Sequence, residues 1–391
     1  MSMEIFSTIE FQMSLLLFVA LAGYMIASRI NQSAVVGIIL AGILVGPGVL
    51  GVITYTDFVS NLAHFGAIVL LFTIGLHFKL KDIMKMKYFW IALAGIILPW
   101  IAGYFIGKLF GFTFGSSIFI GTALTATSIA ITANVLKEMN KLDSEVAKAI
   151  IGAAVIDDVL SLLALSVSEQ IVSGTLSSIL IWTTLLKAGL FIFIFVILGN
   201  IFTNKIIAKL DNSLIAKKYP EFVFIFAMML AFIYAMTAQI IGLSAIVGAF
   251  LAGVAMEGVG LTHSKSFREG SEYLHIIFAS IFFISLGILV DIKTLDLNLA
   301  WFILVLTLIA VITKVIACGI PALLQGSSLN DSLVIGFGMV PRGEVAMIIA
   351  LIGLNQGLIT SSVYTAIVLM SVLTTIITPI VLRNWLLKAS S

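Results

Sequence analysis

Charged residues are scarce in this chain. They make up 10% of its 391 residues, against roughly 25% in ordinary soluble domains, while hydrophobic residues make up 61%. The mean hydropathy is +1.21. This composition excludes a soluble globular protein and predicts an integral membrane protein, with the lipid bilayer as its main partner and no nucleic-acid partner.

Cysteine and histidine are nearly absent as well. Cys318 is the only cysteine, which excludes a disulfide within the chain, and the four histidines lack the spacing of metal ligands. We therefore expect no structural metal site and no cofactor. Glu4 and Glu10 stand before the first apolar run, where a signal peptide would carry basic residues, so we expect a retained first helix.

Long hydrophobic runs recur along the whole chain. Each is long enough to cross a hydrocarbon core of about 30 Å as a helix. The pattern predicts an all-α polytopic membrane protein with 13 transmembrane helices, here called predicted helices 1 to 13. They span residues 10–28, 33–51, 58–78, 88–109, 114–136, 146–168, 177–203, 219–241, 243–259, 273–292, 298–324, 331–353 and 362–386.

Basic residues in the loops predict the orientation. With 13 crossings, only Lys108 and Lys293 fall on one side of the membrane. Because cytoplasmic loops carry the excess of Lys and Arg, the N-terminus should lie outside and the C-terminus in the cytoplasm. The opposite, cytoplasmic side holds Arg29, Lys79, Lys81, Lys85, Lys87, Lys137, Lys141, Lys148, Lys205, Lys209, Lys217, Lys218, Lys265, Arg268, Arg383 and Lys388.

The chain contains an internal repeat. At an offset of 211, "AVVGIILAGILVG" from Ala34 aligns with "AIVGAFLAGVAME" from Ala245, and at 212 "IGLHFKLKDI" from Ile74 aligns with "LGILVDIKTL" from Leu286. The matched helices are seven crossings apart, and an odd separation reverses the direction across the membrane. We therefore expect two inverted six-helix repeats joined by predicted helix 7, an architecture typical of transporters with a site near the midplane.

Five ionisable side chains lie deep in the predicted helices. Asp157 and Asp158 are central in predicted helix 6, about 16 Å from each interface at 1.5 Å per residue. Lys314 falls just past the middle of predicted helix 11, and Arg342 and Glu344 lie near the middle of predicted helix 12. Each would cost about 2.5–3.5 kcal/mol at the bilayer centre if left unpaired. We therefore expect that pairing or hydration offsets most of this cost.

The two adjacent acids cannot share one neighbour, because successive residues on a helix point about 100° apart. One can hold Lys314 while the other faces a cavity. Three buried carboxylates face two cations, so one carboxylate is expected to remain free to exchange protons. The alternative is that the charges form two ion pairs that only specify helix packing.

Predicted helices 5 and 12 carry signals of interruption. The first contains "GTALTATSIAIT", whose hydroxyl groups can replace lost backbone hydrogen bonds; ordinary Ser/Thr packing is the alternative. The second contains "GFGMVPRGEVA", where Pro341 removes a backbone donor and glycines weaken the helix. They occupy corresponding positions in the two halves, which favours a transporter binding site. If the breaks cross, Arg342 and Glu344 are expected to neutralise the half-helix dipoles.

Together these residues resemble a known family. The "IDDV" acids, the Thr/Ser-rich helix before them, the lone Lys314 and the "PRGE" segment are similar to the monovalent cation:proton antiporter superfamily. Within it, the chain resembles the Asp-Asp, electrogenic branch, in particular the NapA-type bacterial and archaeal sodium/proton antiporters. The resemblance covers essentially the whole chain.

The resemblance implies a homodimer with crossed discontinuous helices 5 and 12. Its dimerisation domain would be formed by residues 1–87 and 211–297, and its core transport domain by residues 88–170 and 298–391. Residues 171–210 would form the linker helix 7.

The resemblance also assigns roles to the buried residues. Asp158 would be the sodium ligand. Asp157 would also belong to the ion-binding site and would pair with Lys314, and all three would take part in proton coupling. Some relatives carry a third acid in the first broken helix, where this chain has Thr125, Thr127 and Ser128. Neutral oxygens are therefore expected to complete the ion-binding shell.

The expected function is exchange of sodium or lithium for protons across the cytoplasmic membrane, with two protons per cation and an elevator-type movement. A potassium/proton antiporter or potassium-efflux transporter of the same superfamily is the alternative. An intramembrane aspartyl protease is disfavoured, because it needs two carboxylates on one water, which neighbours 100° apart cannot provide. A gated cation channel would lack proton coupling. No enzyme activity is expected.

Overall fold

The computed structural model describes residues 8–83, 85–174, 178–191, 193–194, 199–219, 221–241, 243–257, 267–290 and 296–386, and these residues contain no strand. Eight of the described helices are long and apolar enough to span a membrane. The helices are α1 (Ile9–Arg29), α2 (Ala34–Val45), α3 (Asp57–Gly75), α4 (Leu80–Ile83), α5 (Met86–Leu109), α6 (Phe114–Ala123), α7 (Ile129–Glu138), α8 (Glu145–Ser173), α9 (Ser178–Phe191), α10 (Gly199–Asp211), α11 (Leu214–Lys218), α12 (Glu221–Ile240), α13 (Ala245–Ala255), α14 (Phe267–Ile288), α15 (Leu297–Leu324), α16 (Leu329–Gly338), α17 (Glu344–Asn355) and α18 (Ser361–Val381).

Hydroxyl side chains define where the helices around the centre of the molecule begin. Thr113, Ser144, Ser328 and Thr360 precede α6, α8, α16 and α18, and each accepts a hydrogen bond from the backbone N–H three residues further on. Such a cap satisfies one of the backbone donors that a helix start leaves unpaired. The starting points of these four helices are therefore encoded locally.

Two predicted helices are interrupted in the structure. Residues 114–136 form α6 and α7, separated by residues 124–128, and residues 331–353 form α16 and α17, separated by residues 339–343. Pro341 lies in the second gap, where it removes a backbone donor. The first gap contains no proline or glycine, so its interruption depends on contacts made elsewhere in the fold.

Other helix boundaries differ from those predicted. Residues 33–51 were expected to be helical, but α2 ends at Val45, because Pro47 cannot donate a backbone hydrogen bond and disfavours helical backbone before it. The helix predicted for residues 243–259 is reduced to α13. The last residues of predicted helices 9 and 10 lie outside the described residues. The same holds for residues 195–198 of predicted helix 7.

Helices that the sequence repeat aligns make equivalent close contacts. The backbones of Gly75 in α3 and Gly253 in α13 touch, and those of Gly42 in α2 and Gly287 in α14 do the same. The offset of 211 places Gly42 on Gly253, and the offset of 212 places Gly75 on Gly287. A Cβ atom at any of the four positions would meet the facing backbone, so these contacts require glycine.

We expect Gly253→Ala to lower the thermal stability of the detergent-solubilised protein, because an added methyl group in a closed backbone contact costs about 1–3 kcal/mol. Gly189→Ala in α9 is the control, since nothing lies within 4 Å of a Cβ there and alanine favours the helix. The melting temperatures of the two variants are compared by heating the protein and measuring the remaining folded fraction by size-exclusion chromatography. Equal melting temperatures for both variants would contradict the tight packing at Gly253.

Candidate ion-binding site

The two acids lie on the long helix α8. The side chains of Asp157 and Asp158 are both buried, with exposed fractions of 0% and 5%. α8 packs against α5, α6, α7 and α16. Helices therefore enclose the two acids on several sides. Each polar contact to a carboxylate influences whether that carboxylate is ionised.

Asp157 forms an ion pair with Lys314 of α15. The Lys314 Nζ atom lies 2.9 Å from Asp157 Oδ1, and it also donates to the carbonyl oxygens of Gly95 at 2.8 Å and Thr125 at 2.7 Å. Three acceptors match the three donors of the ammonium group. The buried lysine is thus compensated both in charge and in hydrogen bonding, as a buried ion must be.

Arg342 binds the backbone at the end of α6. Its Nη1 atom donates to the carbonyl oxygens of Thr125 at 3.3 Å and Ala126 at 2.5 Å, and its Nη2 atom to that of Ala310 at 3.4 Å. The C-terminal end of a helix carries partial negative charge, and Thr125 and Ala126 directly follow the end of α6. The guanidinium group therefore lies where the first interruption leaves that charge. Glu344 begins α17, but its side chain lies outside the described residues.

The two interruptions are bonded to each other. The Ser128 N–H donates to the Pro341 carbonyl at 2.8 Å, and the Thr127 hydroxyl donates to the Met339 carbonyl at 3.2 Å. The Thr132 hydroxyl donates to the last carbonyl of α16 at 2.6 Å. Backbone groups that lose their helical partners thus find replacements, which irregular backbone at membrane depth requires.

Asp158 has a different environment from its neighbour. Its Oδ2 atom accepts a hydrogen bond from the backbone N–H of Ser244, the residue before α13, at 3.3 Å. It also faces a cavity of about 20 Å³, which is room for one water-sized particle. The cavity is lined by Thr127, Ser128, Ile129, Ala130, Asp158, Ser244, Ile246, Val247, Gly343 and Val345. A carboxylate and three hydroxyl groups are oxygen ligands of the kind that hard cations prefer.

The structure separates the three hydroxyl residues expected at the ion. Thr127 and Ser128 line the cavity at Asp158. Thr125 does not: its hydroxyl donates to the Thr122 carbonyl in the preceding helix α6 at 2.7 Å, and its carbonyl accepts from Lys314 and Arg342. Thr125 therefore holds the buried cations of the protein in place and does not line the cavity.

Some residues of the site have no place in the sequence-based prediction. Ser244 contacts Asp158 and was not among the predicted site residues. Extending the sequence repeat by one residue aligns Ser244 with Ser33, and this was the signal that could have identified it. Thr374 accepts a hydrogen bond from the Arg342 N–H at 3.2 Å, and Thr375 donates to the Arg342 carbonyl at 3.1 Å. Only the adjacent threonines in an otherwise apolar segment indicated a polar role there.

Similarity to known proteins gives the class of this one. Over residues 15–388 the chain matches the family described as "Sodium/hydrogen exchanger, transmembrane", and it belongs to that family. It is therefore a multi-pass membrane transporter of the cation:proton antiporter superfamily and not an enzyme. The predicted superfamily and the prediction of no enzyme activity are both confirmed.

Individual relatives are similar along nearly their whole length. The chain is 33% identical to the Na(+)/H(+)-K(+) antiporter GerN of Bacillus cereus, covering 95% of each protein. It is 34% identical to the Na(+)/H(+) antiporter of Enterococcus hirae, covering 96% of this chain and 97% of that one. Its fold is similar to that of the sodium proton antiporter MjNhaP1 from Methanocaldococcus jannaschii, with a TM-score of 0.72 at 14% identity over 97% and 96% of the two chains. The all-helical polytopic fold is confirmed.

We expect Lys314→Met to destabilise the protein by about 3–5 kcal/mol, because it leaves the buried Asp157 carboxylate without a cation. The double variant Asp157→Asn/Lys314→Met removes both charges and should recover much of this loss. Chemical or thermal unfolding in detergent measures both. If the double variant is no more stable than Lys314→Met, the two side chains do not compensate each other.

Proposed function

We propose that this antiporter exchanges sodium or lithium ions for protons across the cytoplasmic membrane, and that Asp158 holds the cation and the proton in turn. One observation carries the proposal. Among the described residues, the only hydrogen bond to the Asp158 carboxylate comes from a neutral backbone donor, whereas its neighbour Asp157 is bound to Lys314. Of the two adjacent acids, Asp158 is thus the one to which the described residues provide no cationic partner.

The lining of the cavity suits a competition at this acid. An ionised Asp158, helped by the hydroxyl oxygens of Thr127 and Ser128, can bind a small hard cation. A protonated Asp158 has lost the charge that attracts the cation. Binding of one ion therefore expels the other, which is the minimal requirement of an exchanger.

Asp157 and Lys314 supply the second proton in this proposal. A cation that draws Asp157 away from Lys314 leaves the buried ammonium group without its counter-charge, so the lysine loses its proton. Two protons then cross for each cation, and one net charge moves. Membrane voltage would drive such a cycle at about 2.3 kcal/mol per charge per 100 mV. Such coupling is what membership of the Asp-Asp, electrogenic branch implies, and we propose that the chain belongs to that branch.

The proposed architecture has 13 transmembrane helices in two inverted six-helix repeats. Predicted helix 5, which forms α6 and α7, crosses predicted helix 12, which forms α16 and α17, at the site. The equivalent glycine contacts and the hydrogen bonds between the two interruptions support it. Residues 88–170 and 298–391 form the core transport domain, residues 1–87 and 211–297 the dimerisation domain, and residues 171–210 the linker.

The working form is a homodimer in the lipid bilayer, with the N-terminus outside and the C-terminus in the cytoplasm. The excess of Lys and Arg in alternate loops supports this orientation. Alternating access comes from an elevator-type sliding of the core transport domain against the dimerisation domain. The cation is thereby exposed to one side of the membrane at a time.

Potassium is the second candidate substrate. The name of the relative GerN includes potassium beside sodium and protons. Neutral oxygen ligands form part of the lining, and their exact spacing decides which alkali ion fits. Transport assays should therefore include sodium, lithium and potassium separately.

We expect Asp158→Asn to abolish cation-evoked alkalinisation in proteoliposomes that contain a pH-sensitive dye, because a side-chain amide does not ionise and so cannot alternate between a bound proton and a bound cation. Asp143→Asn is the matched control, since Asp143 lies exposed between α7 and α8, and it should retain normal exchange. Sodium-evoked alkalinisation that survives in Asp158→Asn would exclude Asp158 as the exchange site.

We expect a sodium concentration jump to evoke a transient current from proteoliposomes on a solid-supported membrane, because two protons against one cation move one net charge. The Asp158→Asn variant should give no current and serves as the background. Dye-detected proton exchange without any current would show an electroneutral exchanger and overturn the proposed stoichiometry.

A further inference from the structure

The start of α13 touches the exchange site through its backbone. Ser244 precedes α13 with φ −63° and ψ 133°, and its side chain accepts a hydrogen bond from the Ile246 N–H. Its own N–H donates to Asp158 Oδ2 at 3.3 Å. The positive end of the α13 dipole therefore lies at the Asp158 carboxylate.

The repeated helix α2 begins with a similar contact. "SAVVG" from Ser33 and "SAIVG" from Ser244 open α2 and α13. The Ser33 hydroxyl donates to Glu138 Oε2, at the end of α7, at 2.7 Å. Each of the two repeated helices thus begins against a carboxylate, and in both cases the carboxylate belongs to the proposed core transport domain while the serine belongs to the proposed dimerisation domain.

Other charged groups near Asp158 are engaged elsewhere. On α8, Asp157 is held by Lys314 of α15, and Arg342 binds carbonyl groups at the end of α6 and on α15. The described residues that line the cavity from α7, α13 and α17 are uncharged, and the Glu344 side chain lies outside the description. The Ser244 amide is therefore the group that sets the hydrogen bonding of the Asp158 carboxylate.

We propose that the Ser244 backbone amide is a positioning group for Asp158, which holds the ionised carboxylate at the dimerisation domain in one of the two transport states. The inference rests on the proposed function and on its division into domains. A hydrogen bond across that boundary cannot persist when the core slides. Protonation weakens it, because a neutral acid accepts less strongly than a carboxylate, and a bound cation competes for the same oxygen.

Proline and alanine at this position separate the amide from the side chain. Ser244→Pro fits the observed φ and removes the N–H, whereas Ser244→Ala keeps it. Since a donor to a carboxylate favours the ionised form, we expect the half-maximal pH of sodium/proton exchange to be about one unit higher in Ser244→Pro than in Ser244→Ala. Ser33→Pro and Ser33→Ala form the matched control pair, with φ −62° at Ser33, and should share one pH profile.

Identical pH profiles for Ser244→Pro and Ser244→Ala would overturn the inference. Should Ser244→Pro not fold, as judged by size-exclusion chromatography, hydrogen exchange on the wild-type protein decides. Saturating sodium should accelerate amide exchange in a peptide covering Ser244, and Asp158→Asn should show no such response. An unresponsive wild-type peptide rejects the contact.

The two proposals fail in different ways. If Asp158→Asn still exchanges sodium for protons, the proposed function is wrong. If Asp158→Asn is inactive but the Ser244 amide has no effect in either experiment, only the role of Ser244 is wrong.

Discussion

The ion pair between Lys314 and Asp157 is the interaction on which the centre of the molecule depends. A lysine buried at membrane depth is tolerated only if its charge and its donors find partners. Its single Nζ atom bonds to Asp157 on α8, to Gly95 on α5 and to Thr125 at the end of α6. One nitrogen atom therefore fixes four segments relative to each other, because α15 carries the lysine itself.

The interrupted helices follow the same rule for the backbone. Ending α6 inside the protein leaves carbonyl groups that would be costly if unpaired, and Lys314 and Arg342 occupy them. The Arg342 backbone is in turn held by Thr374 and Thr375 of α18. The two interruptions and the two buried cations thus stabilise each other. Removal of the Lys314 or Arg342 side chain would take a donor away from the carbonyl groups of the first interruption.

The sequence predicted the buried charged side chains of the site better than its hydroxyl and backbone groups. Asp157, Asp158, Lys314 and Arg342 stood out because charge in an apolar run has few explanations, and the structure places all four within one region. Thr125 was expected at the ion, but its hydroxyl donates to the Thr122 carbonyl of α6, a choice of rotamer that composition does not reveal. Ser244 escaped because its amide makes the contact, and every residue except proline has such a donor. The end of α2 was overestimated because the apolar residues Val49 and Leu50 follow Pro47, where the helix has already ended.

Adjacency of the two acids gives the site its directionality. A helix turns by about 100° per residue, so a side chain of Asp157 held at α15 directs that of Asp158 toward a different neighbour, and in the structure this neighbour is the start of α13. An isolated acid on α8 would have no such anchor for its orientation. In the proposed exchange cycle, a turn of the α8 backbone that disturbs the Asp157 contact with Lys314 also changes the direction of the Asp158 side chain. A shared backbone thus provides a physical route by which the two protonation events become coupled.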